Sequence, residues 1–381
     1  MHGCITRGLL GAATTALVLG TTTPAHAGCE STVANSCVNA DMFWPKAGPT
    51  RFAFVGGSEM TARDQIAFGL ITSYASRPIV LLTASPGGLG STQTAVDNMV
   101  TSTFAFAYGV TERLSLDALL PVTFFQDGTG TSPITGGGPL PTTAMRDVRF
   151  GASYAIAMRD RVAPRTAMKY DGLGVAARFY ASGPTGDSAG FARDRTAVLA
   201  PSISIDARFG RLLVAAEASA RVRPATSLLG SRIGTQVGGS VGASFDLLPR
   251  ELLTLQGEAY AFYNMPAQRT LLVTSASISE LEGTGHLVPA EWSASLRSAP
   301  FLGGDMAFTA GGGAAIPFES ATLLAPRFRF ILGLSYAPLG RDSDHDHVPD
   351  RNDKCPNDPQ IKSYPPRDGC THLAPPDAPQ P

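Results

Sequence analysis

Apolar and polar residues alternate strictly along much of this chain, over about ten positions at a time. In the segment 197–209 every second residue is apolar, and the residues between include Ser204, Asp206 and Arg208. The segments 212–222, 236–247 and 326–336 repeat the pattern. Successive side chains of a β-strand point to opposite faces, so the alternation predicts strands that each have one apolar face.

About twelve such strands are predicted. They lie near 65–74, 98–108, 113–123, 146–157, 172–181, 196–208, 212–222, 235–247, 252–263, 290–298, 304–315 and 325–337. The segments 51–57 and 77–83 have strand-like composition and would add to this number. Short connections alternate with long ones rich in Gly, Pro and Thr. There are two exceptions: 158–171 is long where the alternation predicts a short connection, and 316–323 is short where it predicts a long one.

Two architectures use strands with one apolar face. A soluble β-sandwich buries that face, and its strands usually have about 5–6 residues. A transmembrane barrel turns the apolar face to lipid, with strands of roughly 9–11 residues and alternating short and long connections. The strand lengths and connections favour an all-β transmembrane antiparallel barrel over a secreted sandwich. An even number of strands would bring both chain ends to the periplasm.

Charges at mid-strand also favour the barrel, because a wet lumen solvates charges that a dry core would not. The predicted lumen-lining residues are Asp117, Arg149, Arg178, Asp206, Arg208, Glu217, Arg221, Glu258, Arg327 and Arg329. Their mixed signs do not favour a strongly ion-selective pore. An open pore and a lumen closed by salt bridges are both compatible with them. Aromatic residues near predicted strand ends suggest interfacial girdles; they are Tyr108, Tyr154, Tyr263, Trp292 and Tyr336.

Residues 1–27 have the pattern of a secretory signal peptide. Arg7 precedes a short apolar run, and Ala25-His26-Ala27 matches a small-x-small cleavage site. Export places the remaining cysteines in an oxidising compartment. Two local disulfides are expected, Cys29–Cys37 and Cys355–Cys370, although three connectivities are compatible with four cysteines. A free thiol or a metal site is the alternative.

The amino-acid composition limits the kinds of molecule that this protein is expected to bind. Charged residues make up 16% of the chain, and the net charge is −1. Nucleic-acid binding is therefore not expected, since it needs a basic surface. The expected partner is outer-membrane lipid, with cell-wall or surface ligands as additional candidates.

The composition changes abruptly after Pro338. Aspartates fall at positions 1, 3, 5, 9 and 12 of a loop, and position 7 offers a backbone carbonyl. The candidate Ca²⁺ ligands are Asp342, Asp344, Asp346, Val348, Asp350 and Asp353. His347 occupies the position where calcium loops usually have Gly. The alternatives are a solvated acidic linker and a zinc site at His345 and His347.

The run from Asp342 to Pro356, followed by Asp368-Gly369-Cys370, resembles a thrombospondin type 3 repeat. Such repeats link barrel and periplasmic domain in many proteins of the outer-membrane protein A (OmpA-like) family. Barrel stretches at 107–114, 120–122, 184–187 and 326–338 also resemble that family. The resemblance implies a barrel followed by a calcium-stiffened spacer. The family's peptidoglycan-binding domain has no counterpart after Cys370, where a Pro-rich tail follows.

Two G-x-S-x-G matches, at 186–190 and 238–242, do not predict a hydrolase. The motif needs a strand–turn–helix corner and a downstream histidine, and neither match has that context. No enzyme activity is expected.

The predicted organisation has five parts. They are a signal peptide (1–27), an N-terminal segment with a local disulfide (28–63), an outer-membrane barrel (64–338), a calcium-binding repeat (341–370) and a Pro-rich tail (371–381). The predicted function is a structural or passive-transport, porin-like role in the bacterial outer membrane. The alternative is a surface adhesion module that uses the external loops.

Overall fold

The computed structural model describes Cys29, Cys355 and the ranges 35–83, 91–132, 139–157, 172–228, 231–249, 252–273, 278–301, 305–317 and 323–338. These residues form a closed antiparallel β-barrel with a chain segment inside it. No helix within these ranges has the length and apolarity needed to cross a membrane.

Seventeen strands occur in the described ranges. They are β1 (Ile66–Thr83), β2 (Ser91–Gly109), β3 (Leu114–Asp127), β4 (Ala144–Met145), β5 (Arg149–Ala157), β6 (Gly172–Ser182), β7 (Val198–Phe209), β8 (Leu212–Arg221), β9 (Thr226–Leu228), β10 (Ser231–Ile233), β11 (Gln236–Asp246), β12 (Leu253–Asn264), β13 (Arg269–Val273), β14 (Ile278–Glu282), β15 (Ala290–Phe301), β16 (Met306–Ala315) and β17 (Phe328–Tyr336). A 3-10 turn, Ser188–Gly190, lies between β6 and β7. β9–β10 and β13–β14 are separate hairpins, and the other thirteen strands form one sheet.

The large sheet closes on itself. β1 pairs with both β17 and β2, and β2 pairs with β3. β4 has only two residues and continues the line of β5 along β3, so twelve strands make the wall. Closure removes the free edges that an open sheet would expose. The all-β fold class and the twelve antiparallel strands predicted from the alternation are confirmed.

The wall is apolar outside and polar inside, as β7 illustrates. Ile203 and Ile205 are 52% and 46% exposed, whereas Ser204 and Asp206 are 1% and 2% exposed. The two-residue period of the strand produces this separation directly. Other large exposed side chains around the barrel are Phe104, Phe150, Phe179, Val241, Phe330 and Leu332. An apolar exterior of this kind is typical of a wall that faces lipid.

The two ends of the barrel differ in their connections. At the short-turn end a few residues join neighbouring strands, as at Gly210–Arg211 between β7 and β8. Gly210 has φ of +57°, which glycine adopts without strain. At the long-loop end the connections are longer and carry the hairpins β9–β10 and β13–β14. The connection at 158–171 lies outside the described residues.

The first two strands are longer than the alternation predicts, with 18 and 19 residues. The segment 77–83 is the outer part of β1, beyond a register shift that follows Ser76. This part lies at the long-loop end, where Ile79 forms an isolated antiparallel β-bridge with Leu323. The segment 51–57 is not a strand and lies inside the barrel.

A bulge interrupts the wall between β4 and β5. Here β3 contributes Leu120 and Pro121, whereas the facing strand contributes three residues, 146–148. The carbonyl of Pro121, a residue without an N–H, accepts the amide of Arg146. The extra residue allows both Arg146 and Asp147 to be buried, where strict alternation would expose one of them.

Residues 35–65, the N-terminal segment, run through the inside of the barrel. At the long-loop end Asn35 donates its amide to Ser227 of β9 at 3.1 Å. At the short-turn end Gln65 donates its side-chain amide to the carbonyl of Ala337 at 3.0 Å. The segment therefore crosses the whole lumen before β1 begins.

The N-terminal disulfide expected from the sequence is present. Cys29 is disulfide-bonded to Cys37, as predicted, and its carbonyl accepts the side chain of Asn35. These residues are at the long-loop end, whereas β17 ends at the short-turn end. The N-terminal segment connects the two ends by threading the lumen, and the location of both chain ends in the periplasm stays a prediction. Cys355 is also disulfide-bonded, and its predicted partner Cys370 lies outside the described residues.

The apolar core of the molecule sits in the lumen rather than between two layers. The ring of Phe54 stacks on Tyr260 of β12, with centroids 4.2 Å apart, and meets the edge of Phe262 at 6.4 Å. Phe43 stacks on the same ring of Phe54 at 6.1 Å. The N-terminal segment thus supplies the apolar side chains that the polar inner wall lacks.

Candidate functional site

The lumen and the N-terminal segment together form the candidate functional site. Buried residues on the inner face of the wall include nine of the ten predicted ones, Asp117, Arg149, Arg178, Asp206, Arg208, Glu217, Arg221, Glu258 and Arg329. The structure instead places Arg327 at an exposed position before β17, because that strand begins at Phe328. Asp117 is bonded within the wall, by Ser153 at 2.8 Å and Tyr180 at 2.9 Å.

Two wall glutamates bind the backbone of the N-terminal segment. Glu258 of β12 accepts the three consecutive amides of residues 53–55 at 3.0, 2.8 and 2.9 Å. Glu217 of β8 accepts the next amide, that of Gly56, at 2.6 Å. Hydrogen bonds to a charged acceptor are stronger than those between neutral groups, so these contacts fix the path of the segment.

β6 and β7 bind the adjoining residues. Asp206 accepts both the amide and the hydroxyl of Ser58, at 2.6 and 2.8 Å. Arg178 donates to the carbonyl of Gly57 and, at 2.7 Å, to the hydroxyl of Ser204. Three carboxylates therefore hold five of the six amides between positions 53 and 58.

Glycines permit this close approach. A Cβ at Gly56 would lie 2.6 Å from Nη1 of Arg178 and 2.8 Å from Oε2 of Glu217. A Cβ at Gly57 would lie 2.9 Å from Oδ2 of Asp206. A Cβ at either position would therefore displace the end of a wall side chain that binds the segment, so glycine suits both positions.

Ion pairs fix the segment in the short-turn half of the lumen. Lys46 pairs with Glu217 at 2.7 Å, with both side chains nearly buried. Arg51 pairs with Asp246 of β11 at 3.1 Å, and Arg208 of β7 pairs with the same carboxylate. The segment and the wall thus neutralise each other's charges in this half.

Arg329 organises one side of the long-loop half. Its guanidinium pairs with Asp41 of the segment at 2.9 Å and with Glu291 of β15 at 2.9 Å. It also lies over the ring of Phe43, 4.9 Å from the centroid. Tyr260 donates its hydroxyl to Glu291. A complete set of buried partners therefore surrounds this arginine.

Trp44 lies between two arginines in the same half of the lumen. The guanidinium carbon of Arg149 is 4.2 Å from the centre of the ring, and that of Arg221 is 4.3 Å from it. Arg221 also donates to the carbonyl of Met42 at 2.9 Å and lies over the ring of Phe262. Stacking of this kind is a favourable cation–π contact when the groups are desolvated.

The long-loop end of the lumen is closed by Arg146 and an apolar cluster. Arg146 donates to Asn39 of the segment and, at 3.2 Å, to Thr123 of β3. Apolar residues from the segment, the outer part of β1 and the long loops pack around this end, among them Val38, Ala40, Ile79, Leu228 and Leu324.

Sequence analysis did not identify several residues of this site. Asp246 and Glu291 occupy polar positions of alternating strands, and this signal could have found them. Asp41 and Trp44 had no such signal, because their partners lie far away along the chain. Arg146 lacked one as well, since the bulge that buries it breaks the alternation.

The exterior aromatic residues lie near the strand ends. Tyr108, Tyr154 and Tyr336 are towards the short-turn end, and Tyr263 and Trp292 are towards the long-loop end. All except the half-buried Tyr108 are between 39% and 48% exposed. Such positions suit amphipathic rings at membrane interfaces.

The remaining sequence motifs contribute no described site. The predicted calcium ligands, Asp342 to Asp353, lie outside the described residues, within which no group of three or more His, Cys, Asp or Glu side chains could hold a metal. Ser188 of the first G-x-S-x-G match lies in the 3-10 turn, and Ser240 of the second lies within β11. Neither is at the strand–turn–helix corner that the motif requires.

No protein-family model and no curated protein sequence matches the chain. Among solved structures, it is similar to an outer membrane channel from Pseudomonas putida F1, with a TM-score of 0.53 and 12% identity over 77% of this chain and 100% of that chain. Two further structures are less similar. The NanC porin has a TM-score of 0.42 and 8% identity over 71% of this chain and 98% of that chain. The Ralstonia pickettii toluene transporter TbuX has a TM-score of 0.35 and 11% identity over 74% of this chain and 95% of that chain. The first likeness shows the fold: the chain has the architecture of an outer-membrane β-barrel.

Proposed function

We propose that this protein is a passive-transport channel of the bacterial outer membrane whose lumen is closed by the N-terminal segment. The apolar exterior and the aromatic residues near both ends support placement in a membrane. The segment spans the lumen from the long-loop end to the short-turn end. A solute therefore passes only after the segment has moved.

The polar inner wall is the observation that carries this proposal. Glu258, Glu217 and Asp206 hold the segment by hydrogen bonds to its backbone, and water can replace such bonds. A barrel that needed a permanent core would instead use apolar side chains on this face. When the segment leaves, the same carboxylates and arginines line a hydrated passage.

The charge of the segment fits a removable element. Three acidic and three basic residues occur between positions 35 and 65: Asp41, Glu59, Asp64, Lys46, Arg51 and Arg63. Its departure therefore leaves the net charge of the lumen unchanged, and no strong field opposes the return of the segment.

Conductance across a planar lipid bilayer tests the proposal. The wild-type protein is expected to stay closed for most of the recording. Deletion of residues 29–62, which removes both Cys29 and Cys37, is expected to give a large and steady conductance. Removal of the β13–β14 hairpin (268–284) is the matched control, because it shortens a long loop and leaves the segment in place.

A second variant tests the proposal even if the deletion variant fails to fold. Glu217→Gln combined with Glu258→Gln keeps the whole chain but weakens the contacts to four amides. We expect it to open more often than wild type. A folded deletion variant that does not conduct would contradict the proposal, as would a double variant that opens no more often than wild type.

We further propose, from the sequence, that residues 341–370 form a calcium-binding spacer on the periplasmic side. The short-turn end, where β17 leads towards them, faces the periplasm in barrels of this type. Calcium binding to the full chain should be saturable and should be lost when Asp344 and Asp346 are both replaced by Asn. Unchanged binding in that variant would exclude the spacer as the calcium site.

A further inference from the structure

We propose that the long-loop half of the lumen contains a binding site for a small oxyanion, formed by Arg149 and Ser182. Arg149 of β5 is 2% exposed, and its guanidinium lies against one face of Trp44. Within the described part of the chain, neither its Nε nor its Nη1 has a hydrogen-bond acceptor. Buried donors of this kind need a partner, because an unmet one loses its hydration without compensation.

Ser182 supplies a second donor at the same place. It lies directly opposite Arg149 in the pairing of β5 with β6 and is 1% exposed. Its hydroxyl also has no partner among the described residues. Side chains that face each other across two strands are close neighbours. The oxygens of phosphate, sulfate or a carboxylate accept several hydrogen bonds, so one such anion suits a guanidinium donor beside a hydroxyl donor.

The surrounding charge favours an anion over a neutral ligand. Arg221, which also lies against the ring of Trp44, donates to a backbone carbonyl rather than to a carboxylate. Nε of Arg146 likewise lacks an acceptor in the described residues. By contrast, Arg329 in the same half pairs with two carboxylates. The carboxylates of Asp41, Asp147 and Asp194 act on Arg149 electrostatically, but none of them accepts a hydrogen bond from its Nε or Nη1. An oxyanion would supply these acceptors together with a directly paired charge, whereas a water molecule would supply only acceptors.

The two tryptophans of the chain permit a direct test. Trp292 is on the exterior and 48% exposed, so Trp292→Phe leaves Trp44 as the single reporter beside the site. Inorganic phosphate at low millimolar concentration should produce a saturable change in Trp44 fluorescence of the purified, detergent-solubilised protein. Sulfate and formate should compete with it. Chloride at matched ionic strength should not reproduce the change.

Variants in this background assign the effect to the site. Arg149→Gln should abolish the phosphate response, and Ser182→Ala should weaken apparent affinity about tenfold, the factor equivalent to one hydrogen bond. Ser244→Ala is the matched control, since this inner-face serine of β11 is equally buried and its hydroxyl has no described partner either. Absence of a saturable response would overturn the proposal. A response that survives in both site variants, as it does in the control, would overturn it as well. If Arg149→Gln fails to fold, the phosphate titration of Ser182→Ala alone tests the site: unchanged affinity in that variant would overturn the proposal.

Discussion

The two halves of the lumen bind the N-terminal segment by different means. In the short-turn half, Glu258, Glu217 and Asp206 bind backbone amides. In the long-loop half, the wall mainly contacts side chains of the segment, with arginines on the ring of Trp44 and on the carboxylate of Asp41, and Arg221 also binds the carbonyl of Met42.

The difference separates the roles of backbone and side chain in the segment. In the short-turn half the wall pairs with the side chains of Lys46 and Arg51, but where it binds amides it requires only the small size of Gly56 and Gly57. Where rings and carboxylates are bound, the segment must present particular residues at particular places. Substitutions in the wall and in the segment should therefore have unequal effects in the two halves.

Arg329→Gln should be the most damaging of these changes. It leaves Asp41 and Glu291 buried without their shared counter-ion, which should lower the free energy of unfolding by about 3–5 kcal/mol. Urea unfolding in detergent micelles, followed by heat-modifiable gel migration, measures the loss. Arg77→Gln is the control, because its pair with Asp97 is exposed and should contribute about 1 kcal/mol or less. Equal losses in the two variants would contradict the buried network.

Glu258→Ala should have the next largest effect. It leaves the three amides of residues 53–55 buried without an acceptor, so we expect a loss of roughly 2–4 kcal/mol by the same unfolding measurement. Glu258→Gln keeps one acceptor oxygen and should lose less. If the alanine and glutamine variants are equally stable, the backbone contacts do not carry the stability of this half.

Ser58→Ala should have the smallest effect. It removes the hydroxyl that donates to Asp206 but keeps the amide that donates to the same carboxylate, so the loss should be about 1 kcal/mol. A loss as large as that of Glu258→Ala would show that this hydroxyl, rather than the backbone amides, makes the main contact of residues 53–58 with the wall.

The strands of the barrel wall were largely predictable from the sequence, whereas the segment that fills the lumen was not. Alternation alone placed Ile203 outside and Asp206 inside, because a strand has a fixed period of two. It misplaced Arg327, because alternation does not show at which residue a strand begins. The apolar stretch 51–57 suggested another strand, but its amides bond to carboxylates 161 to 205 residues away along the chain. No local pattern encodes contacts of that separation.

The sequence by itself determined which face of each strand is apolar, how many strands there are, and where short and long connections fall. These properties depend on backbone geometry and on nearest neighbours along the chain. Only the tertiary structure decided that the lumen is filled, and by which residues. The reason is that the inner wall is polar, and a polar wall accepts water or a chain segment equally well until three-dimensional proximity brings amides and carboxylates together.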